Sequence, residues 1–476
     1  MPSKTLSLHF LDWLVIGVYF LVVLVLGIYH AGRKGKTDED FLIAGRRLSL
    51  IPFVATLVST FYGGILGIGE FVYRYGIVSW ITQGLFYYIF AAVYALFLSG
   101  KIRQKIQFTL PDQLYESYGK KAGLVGSVFT FLMVTPAPYV LMIGVLLNLL
   151  LGWPLWLAII VGTLLSVVYV LFGGLYSVVK TDVFQFLLMF LGFAVILPYA
   201  HHLLGPVSKV LANLPKKQLN PTGYFSIQQI LAWGFIALWT IVDPSFYQRC
   251  SAAVSQKTAR NGVLISIGFW FLFDMMTLTA GFYARAYFPG IDPLMAYPVL
   301  GNAVLPTVAK GFFVVGMLAT IMSTLDSYTF LSAITLGRDF YGRLTNQLHL
   351  DRLTAATRWG LVITTIVSFG IAYWLQSVVT IWYLIGSLGI PVLFFPLWTS
   401  FFPKFKISGQ TVLAQMILSG LLSVLWMAAG FLHQAGGFPE YPLGIEPIYP
   451  GLLASFLIWM GGLFAERKIR REGLNP

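Results

Sequence analysis

The chain has 476 residues, of which 58% are hydrophobic and only 10% charged, whereas an ordinary soluble domain is about a quarter charged; a single soluble fold is excluded. Its net charge of +13 would suit nucleic acid only if the basic residues gathered on one soluble face, and here they are spread among the segments between apolar runs. Those runs are longer than the strands of a membrane barrel, so the class is an all-α polytopic bundle whose backbone groups pair within each helix.

Thirteen apolar segments are predicted, at about 11–30, 49–72, 77–98, 123–150, 154–178, 183–203, 226–247, 262–287, 311–336, 354–375, 377–401, 409–432 and 447–465. Each is near the roughly 20 residues that cross a hydrocarbon core. The first is followed by Gly32, Arg33, Lys34 and Lys36 rather than by a small-residue cleavage site, and is expected to stay as an uncleaved span. The second carries Gly63, Gly64, Gly67 and Gly69 beside Ser59, Thr60 and Tyr62, and the fourth carries Pro136 and Pro138. Such breakers serve either close helix packing through small residues or an unwound segment whose freed carbonyls bind an ion.

Of the 31 Lys and Arg, all but Lys4, Arg74, Lys209, Lys216, Lys217, Arg285 and Lys310 fall on the side that is cytoplasmic if the N-terminus is outside. The positive-inside rule therefore predicts an external N-terminus and an internal C-terminus, in a multi-pass protein of the plasma or inner membrane. Cys250 is the only cysteine, so neither an intrachain disulfide nor a cysteine-rich zinc site is available. His201 and His202 are adjacent in an expected external loop, which reads as a solvated loop more readily than as a metal site.

Three blocks carry a resemblance. Leu11, Asp12 and Trp13 lead into the first span, and Asp38 to Leu42 with Ala44, Gly45, Arg46 and Arg47 follow its basic turn. Next come Gly173, Gly174, Val178, Thr181, Asp182 and Gln185. The third is Ala319 through Ser327 with Arg338, Asp339 and Tyr341. Thr109 to Asp112, and Gln248 and Arg249 with Lys257 and Arg260, agree more weakly. In this order the blocks resemble the sodium:solute symporter family, across about residues 11–400.

That resemblance implies a leucine-transporter-type fold: an N-terminal helix and basic turn over 1–48, inverted five-helix repeats over 49–203 and 226–401, and two further helices with a tail over 402–476. It also implies coupling of inward sodium movement to uptake of a sugar, amino acid, carboxylate, vitamin or ion. Proton-coupled symport, or a solute-gated sensor or channel on the same scaffold, remain as alternatives. No metal motif, nucleophile–base set or nucleotide loop points to an enzyme.

From the residues alone, the hydroxyls of Ser323 and Thr324 either bond the preceding carbonyls of their own helix, as is common in membrane helices, or face an ion. The resemblance implies the second, with carbonyls from Thr320, Leu57 and Thr60 completing a sodium site. Intramembrane acids are functional hypotheses by default. Asp182, Asp326 and Ser327 match a second cation site in some relatives, but a carboxylate at position 326 stands where those relatives have a hydroxyl. It makes a stronger cation site, a proton-titrating site or a paired charge. Asp243, before Pro244, matches a substrate-facing position, with Tyr62, Gly63, Gly64 and Trp239 as candidates to frame the same cavity; its alternative is a paired acid. Sugar-carrying members place a Glu-Gln pair near Gly63 and Gly64, so a sugar is disfavoured. Glu70, Asp274, Trp80 and Gln83 are further polar or aromatic candidates, Asp274 being mid-span and so bound to face protein or water.

Overall fold

The computed structural model describes residues 6–31, 42–105, 107–346, 350–435 and 438–471. Lys4, Asn475, the basic turn Gly32, Arg33, Lys34 and Lys36, and residues 38–41 of the first motif lie outside them.

Helix α1 (Phe10–Ala31) begins where Asp12 accepts the amides of Val308 and Gly311 at 2.8 and 3.0 Å, which ties it to a later helix start. The second span is two helices, α2 (Leu50–Phe61) and α3 (Ile65–Tyr75), meeting at 55° across Tyr62–Gly64. The third span ends in α4 (Phe86–Phe97). A connecting helix, α5 (Leu110–Tyr118), starts with a capping box in which Thr109 accepts the Asp112 amide and Asp112 accepts that of Thr109, satisfying donors that a helix start leaves unpaired. The fourth span is α6 (Lys120–Met133) and α7 (Ala137–Leu151), interrupted at Pro136 as its prolines suggest.

Next, α8 (Leu155–Leu204) is one run of helix interrupted at Gly174, whose φ of 59° only glycine adopts readily. The turn between the fifth and sixth segments therefore falls at Gly174 and not near residues 179–182. Asp182 lies two turns into the returning helix, fully buried, rather than at the start of a span. His201 and His202 close that helix as exposed last-turn residues.

The seventh span is broken too. Helix α9 (Ile227–Ile236) and the turn Trp239–Val242 lead to Asp243, which is extended (ψ 117°) and caps α10 (Pro244–Ala252). Proline at the first helical position needs no backbone partner. Then follow α11 (Gln256–Tyr287), α12 (Ala309–Ile334) with a widened turn to Gly342, α13 (Leu350–Leu375), α14 (Val378–Ser400), α15 (Gly409–Leu432) and α16 (Ile448–Arg471). Among the described residues, eleven helices are long and apolar enough to cross a membrane, joined by the bent pair α2 and α3 and by the shorter apolar stretch Leu155–Ser166. Their order is compatible with the thirteen apolar segments of the sequence. Apart from a two-residue ladder of Gln434–Ala435 with Phe438–Pro439, the described chain is helical.

The side chains divide as a bilayer demands. Outer positions such as Ile51 and Trp374 are 79% and 88% exposed, and lipid rather than water accepts them. Helix α12 is the opposite case, buried along nearly its whole length at the centre of the bundle.

Candidate functional site

The site forms where the broken spans meet α12. A helix leaves its last carbonyls without intrahelical partners, and α2 ends beside α12 for this reason: Thr324 Oγ1 donates to the Thr60 carbonyl at 2.6 Å and lies 3.4 Å from that of Ser59. Gly63 makes the approach possible, since a Cβ there would collide with the Thr324 hydroxyl. Ser323 Oγ donates to Asp182 Oδ1 at 2.7 Å and lies 2.9 Å from Ser59 Oγ. Thus Ser323, Thr324 and Thr60 converge as expected, with Ser59 added. Thr320 turns its hydroxyl back onto the Gly316 carbonyl of its own helix. Leu57 is buried in α2, and among the described hydrogen bonds the carbonyls that meet Thr324 are those of Ser59 and Thr60 instead.

Beside this cluster lies a residue counted in the sequence as a loop cation. Arg249, on α10, is fully buried. Its Nη2 is 2.7 Å from Ser327 Oγ, 2.9 Å from Thr60 Oγ1, 3.2 Å from Thr56 Oγ1 and 3.6 Å from Asp182 Oδ2. Asp182 Oδ2 also accepts the Thr56 hydroxyl. Of the candidate second-cation residues, Asp182 and Ser327 therefore meet Arg249, while Asp326 accepts the hydroxyl of Ser166.

A cavity lies between the two breaks and α14. Tyr62, Gly64, Trp239 and Asp243 line it, as anticipated; Gly63 does not, because it faces Thr324. Gln83 and Asp274 belong to it as well, and Trp80 joins them in a small adjoining pocket. Glu70 is elsewhere, paired with Arg74 at 3.1 Å. Sequence reasoning missed Phe61, Ile68, Tyr87, Tyr139, Tyr328 and Trp382. Gly64 and Gly67 let the Trp382 indole reach the α2–α3 backbone. Both acids are held: Asp243 accepts the Ser245 amide at 2.6 Å and the Tyr328 hydroxyl at 3.0 Å, and Asp274 accepts the hydroxyls of Tyr62 and Tyr88. The lining contains no Lys, Arg or His.

A third cluster ties α5 to the turn after α12. Arg338 pairs with Asp112 at 2.9 Å and with Asp339 at 2.6 Å, and Arg343 with Asp112. Burial opposes ionisation of Asp112, but the two guanidiniums outweigh it and hold its carboxyl below the usual range. Nearby, the backbones of Leu48, Ala252 and Val254 pair, and Gln248 donates to the Leu42 carbonyl. Among the described residues no group of three or more His, Cys, Asp or Glu is placed to hold a metal ion.

Comparison with known proteins bears on the family and the fold. The profile of the sodium:solute symporter family matches residues 41–418. A high-affinity choline transporter of Drosophila melanogaster is 26% identical over 79% of this chain, and the match spans 64% of that relative's length. The human high affinity choline transporter is 25% identical over 94% of this chain and 80% of its own. A sodium/proline symporter of Staphylococcus aureus is 23% identical over 96% and 93%. Among solved structures, a substrate-bound, outward-open Na+-coupled sialic acid symporter superposes with a TM-score of 0.79 over 96% of this chain and 98% of its own, at 16% identity, a likeness of fold.

Proposed function

The chain belongs to the sodium:solute symporter family, and from that premise we propose that it imports a small organic cation, driven by sodium moving in the same direction. The observation that carries the substrate class is the cavity itself. Aromatic rings from Phe61, Tyr62, Tyr87, Tyr139, Trp239, Tyr328 and Trp382 surround two carboxylates, Asp243 and Asp274, with no basic side chain in the wall. Aromatic faces attract a cation that has shed its water, most of all a quaternary ammonium, and buried acids supply the counter-charge. A carboxylate solute would meet two like charges and no donor cation. The choline transporters among the relatives favour the same class.

Sodium would bind where the Thr324 and Ser323 hydroxyls face the Thr60 and Ser59 carbonyls and, through Ser323, Asp182. Hard oxygen donors at a helix break suit that ion. Both broken spans touch the cavity, Tyr62 from the first and Asp243 from the second, which supports reading 49–203 and 226–401 as two repeats moving about a central site. The Asp112 cluster and the Leu48–Ala252 pairing would close the cytoplasmic route and open in turn, giving alternating access.

The test is uptake into proteoliposomes with an inward sodium gradient, using labelled choline, proline and lactate in parallel. Sodium-stimulated accumulation of choline, competed by other quaternary amines, is expected. Accumulation of lactate in its place would overturn the substrate class, and uptake driven by a proton gradient without sodium would overturn the coupling ion.

A further inference from the structure

Three lysines gather where the end of the third span, α5 and the end of α14 meet. Lys101 Nζ donates to the Phe401 carbonyl at 3.1 Å and stands 3.6 Å above the Phe402 ring. Lys105 Nζ donates to Gln113 Oε1 at 2.7 Å and lies 4.9 Å from the Phe401 ring, while Gln113 in turn donates to Ser400 Oγ at 2.8 Å. Lys406 Nζ lies 5.5 Å from the ring of Tyr118. Each ammonium thus faces an uncharged oxygen or a ring. Among the described ion pairs none involves these lysines, whereas Arg74, Arg249, Arg338 and Arg343 each meet a carboxylate. Burial lowers the pKa of Lys105; Glu116 opposes that shift, and the charges of Lys406 and Lys101 add to it. Glu116 itself is exposed and accepts the Gln107 amide.

The surface leading to this cluster is apolar. Leu96 and Phe97, the last residues of α4, are 61% and 52% exposed. Lys101 follows Phe97 by four residues, one turn on, so the two share a face. The Phe97 ring lies 6.4 Å from that of Trp398, and Trp398 5.0 Å from Phe402, over which Lys101 rests. A row of aromatic rings therefore runs from an exposed apolar flank to an ammonium group, the order of groups found where a bilayer passes from acyl chain to headgroup.

We propose that Lys101, Lys105 and Lys406 hold the phosphate of an acidic phospholipid whose acyl chains lie along Leu96, Phe97 and Trp398. Cations grouped between helices at the membrane boundary suit such a headgroup, and its charge offsets a repulsion that no carboxylate among the described ion pairs relieves. A soluble phosphate brings the same charge but nothing to cover the apolar flank. Because the lysines come from the end of the third span and from the segment after α14, and Gln113 from α5, the lipid ties three elements together.

Thermal unfolding of the full chain in detergent, titrated with phosphatidylglycerol, phosphatidylcholine of the same chain length or inorganic phosphate, tests the site, because a ligand of the native state raises its stability by mass action. Saturable stabilisation by phosphatidylglycerol alone is expected. Neutralising all three lysines (Lys101→Gln, Lys105→Gln, Lys406→Gln) should raise the half-saturating phosphatidylglycerol concentration on the order of a hundredfold, and Lys105→Gln by itself about fivefold. The same loss of charge at Lys121, Lys257 and Arg260, exposed residues elsewhere on that side, should leave it within about twofold of the wild type, a shift smaller than one headgroup contact is worth. A wild type indifferent to phosphatidylglycerol would overturn the proposal, as would an unshifted Lys105→Gln, whether or not the triple variant folds. Equal stabilisation by inorganic phosphate would make the ligand a soluble anion, and an equal shift in the control variant would make the attraction one of overall charge; either result overturns the lipid site.

Discussion

Ser323 and Thr324 are adjacent hydroxyls with different tasks, Ser323 turned to Asp182 and Thr324 to the freed carbonyls of α2. Removing either oxygen from an ion site costs on the order of 1.5–3 kcal/mol, tenfold or more in affinity. Sodium titrations of binding are therefore expected to shift at least tenfold for Ser323→Ala and for Thr324→Ala and further for the double variant; an unshifted double variant would mean the hydroxyls serve only the helix backbone. Asp243→Asn keeps the cap on α10 but removes a charge from the cavity, so choline affinity should fall at least tenfold with expression little changed. Equal affinity in the two proteins would take Asp243 out of the solute site. These residues were expected from the sequence because the family resemblance singled them out where the residues alone left a structural alternative open. Tyr139, Tyr328 and Trp382 were not, since an aromatic residue in a membrane helix reads the same whether it faces lipid, core or cavity. Arg249 was misread because a charge just beyond an apolar run looks like the start of a loop; only the break at Asp243 turns it inward.

At the scale of elements, the breaks and the cluster between α5 and the end of α12 are the places where the proposed alternating access would act. Glycines and prolines announced the interruptions of the second and fourth spans, yet the register of the carbonyls expected to face an ion did not follow from composition, because it depends on which turn of α2 comes last. Gly63→Ala tests that register: its Cβ would push Thr324 from the Thr60 carbonyl, so sodium affinity should fall while an unrelated packing role would leave it unchanged. The Asp112 cluster gives a pH prediction. A carboxyl held below its ordinary range in the folded protein stabilises it above the unfolded value near pH 4, and that contribution is lost as pH falls through the folded value. Wild type should thus unfold at a higher temperature than Asp112→Asn by an amount worth about 1–3 kcal/mol near neutral pH, and the gap should close only in acid below about pH 4. A gap that closes between pH 7 and 5 would show that Asp112 is not the group responsible. The same variant should speed modification of Cys250, which is fully buried on α10, a helix that packs against α5.

For the whole molecule, orientation decides whether the sodium gradient drives import, and the sequence speaks to it more directly than the coordinates do. The apolar segments and their order were legible because a bilayer imposes length and hydropathy on each one; the arrangement that makes α12 central was not, because an ordered list of segments does not say which of them pack against one another. The structure changes two terms in the charge argument: Arg249 belongs to the interior and not to a loop, and Arg338 is largely buried in its ion pairs. The asymmetry survives, because Lys101, Arg103, Lys105, Lys120 and Lys121 follow the third span and Lys404 and Lys406 the eleventh, all on one side of an alternating chain. With the inner side so marked, we propose an external N-terminus and a cytoplasmic C-terminus. In a Cys250→Ser background, single cysteines at Lys4 and Asn475 should react with a membrane-impermeant maleimide in opposite ways, position 4 in intact cells and position 475 only after permeabilisation. Labelling of position 475 from outside would reverse the orientation, place the Asp112 cluster on the external face, and turn the proposed importer around.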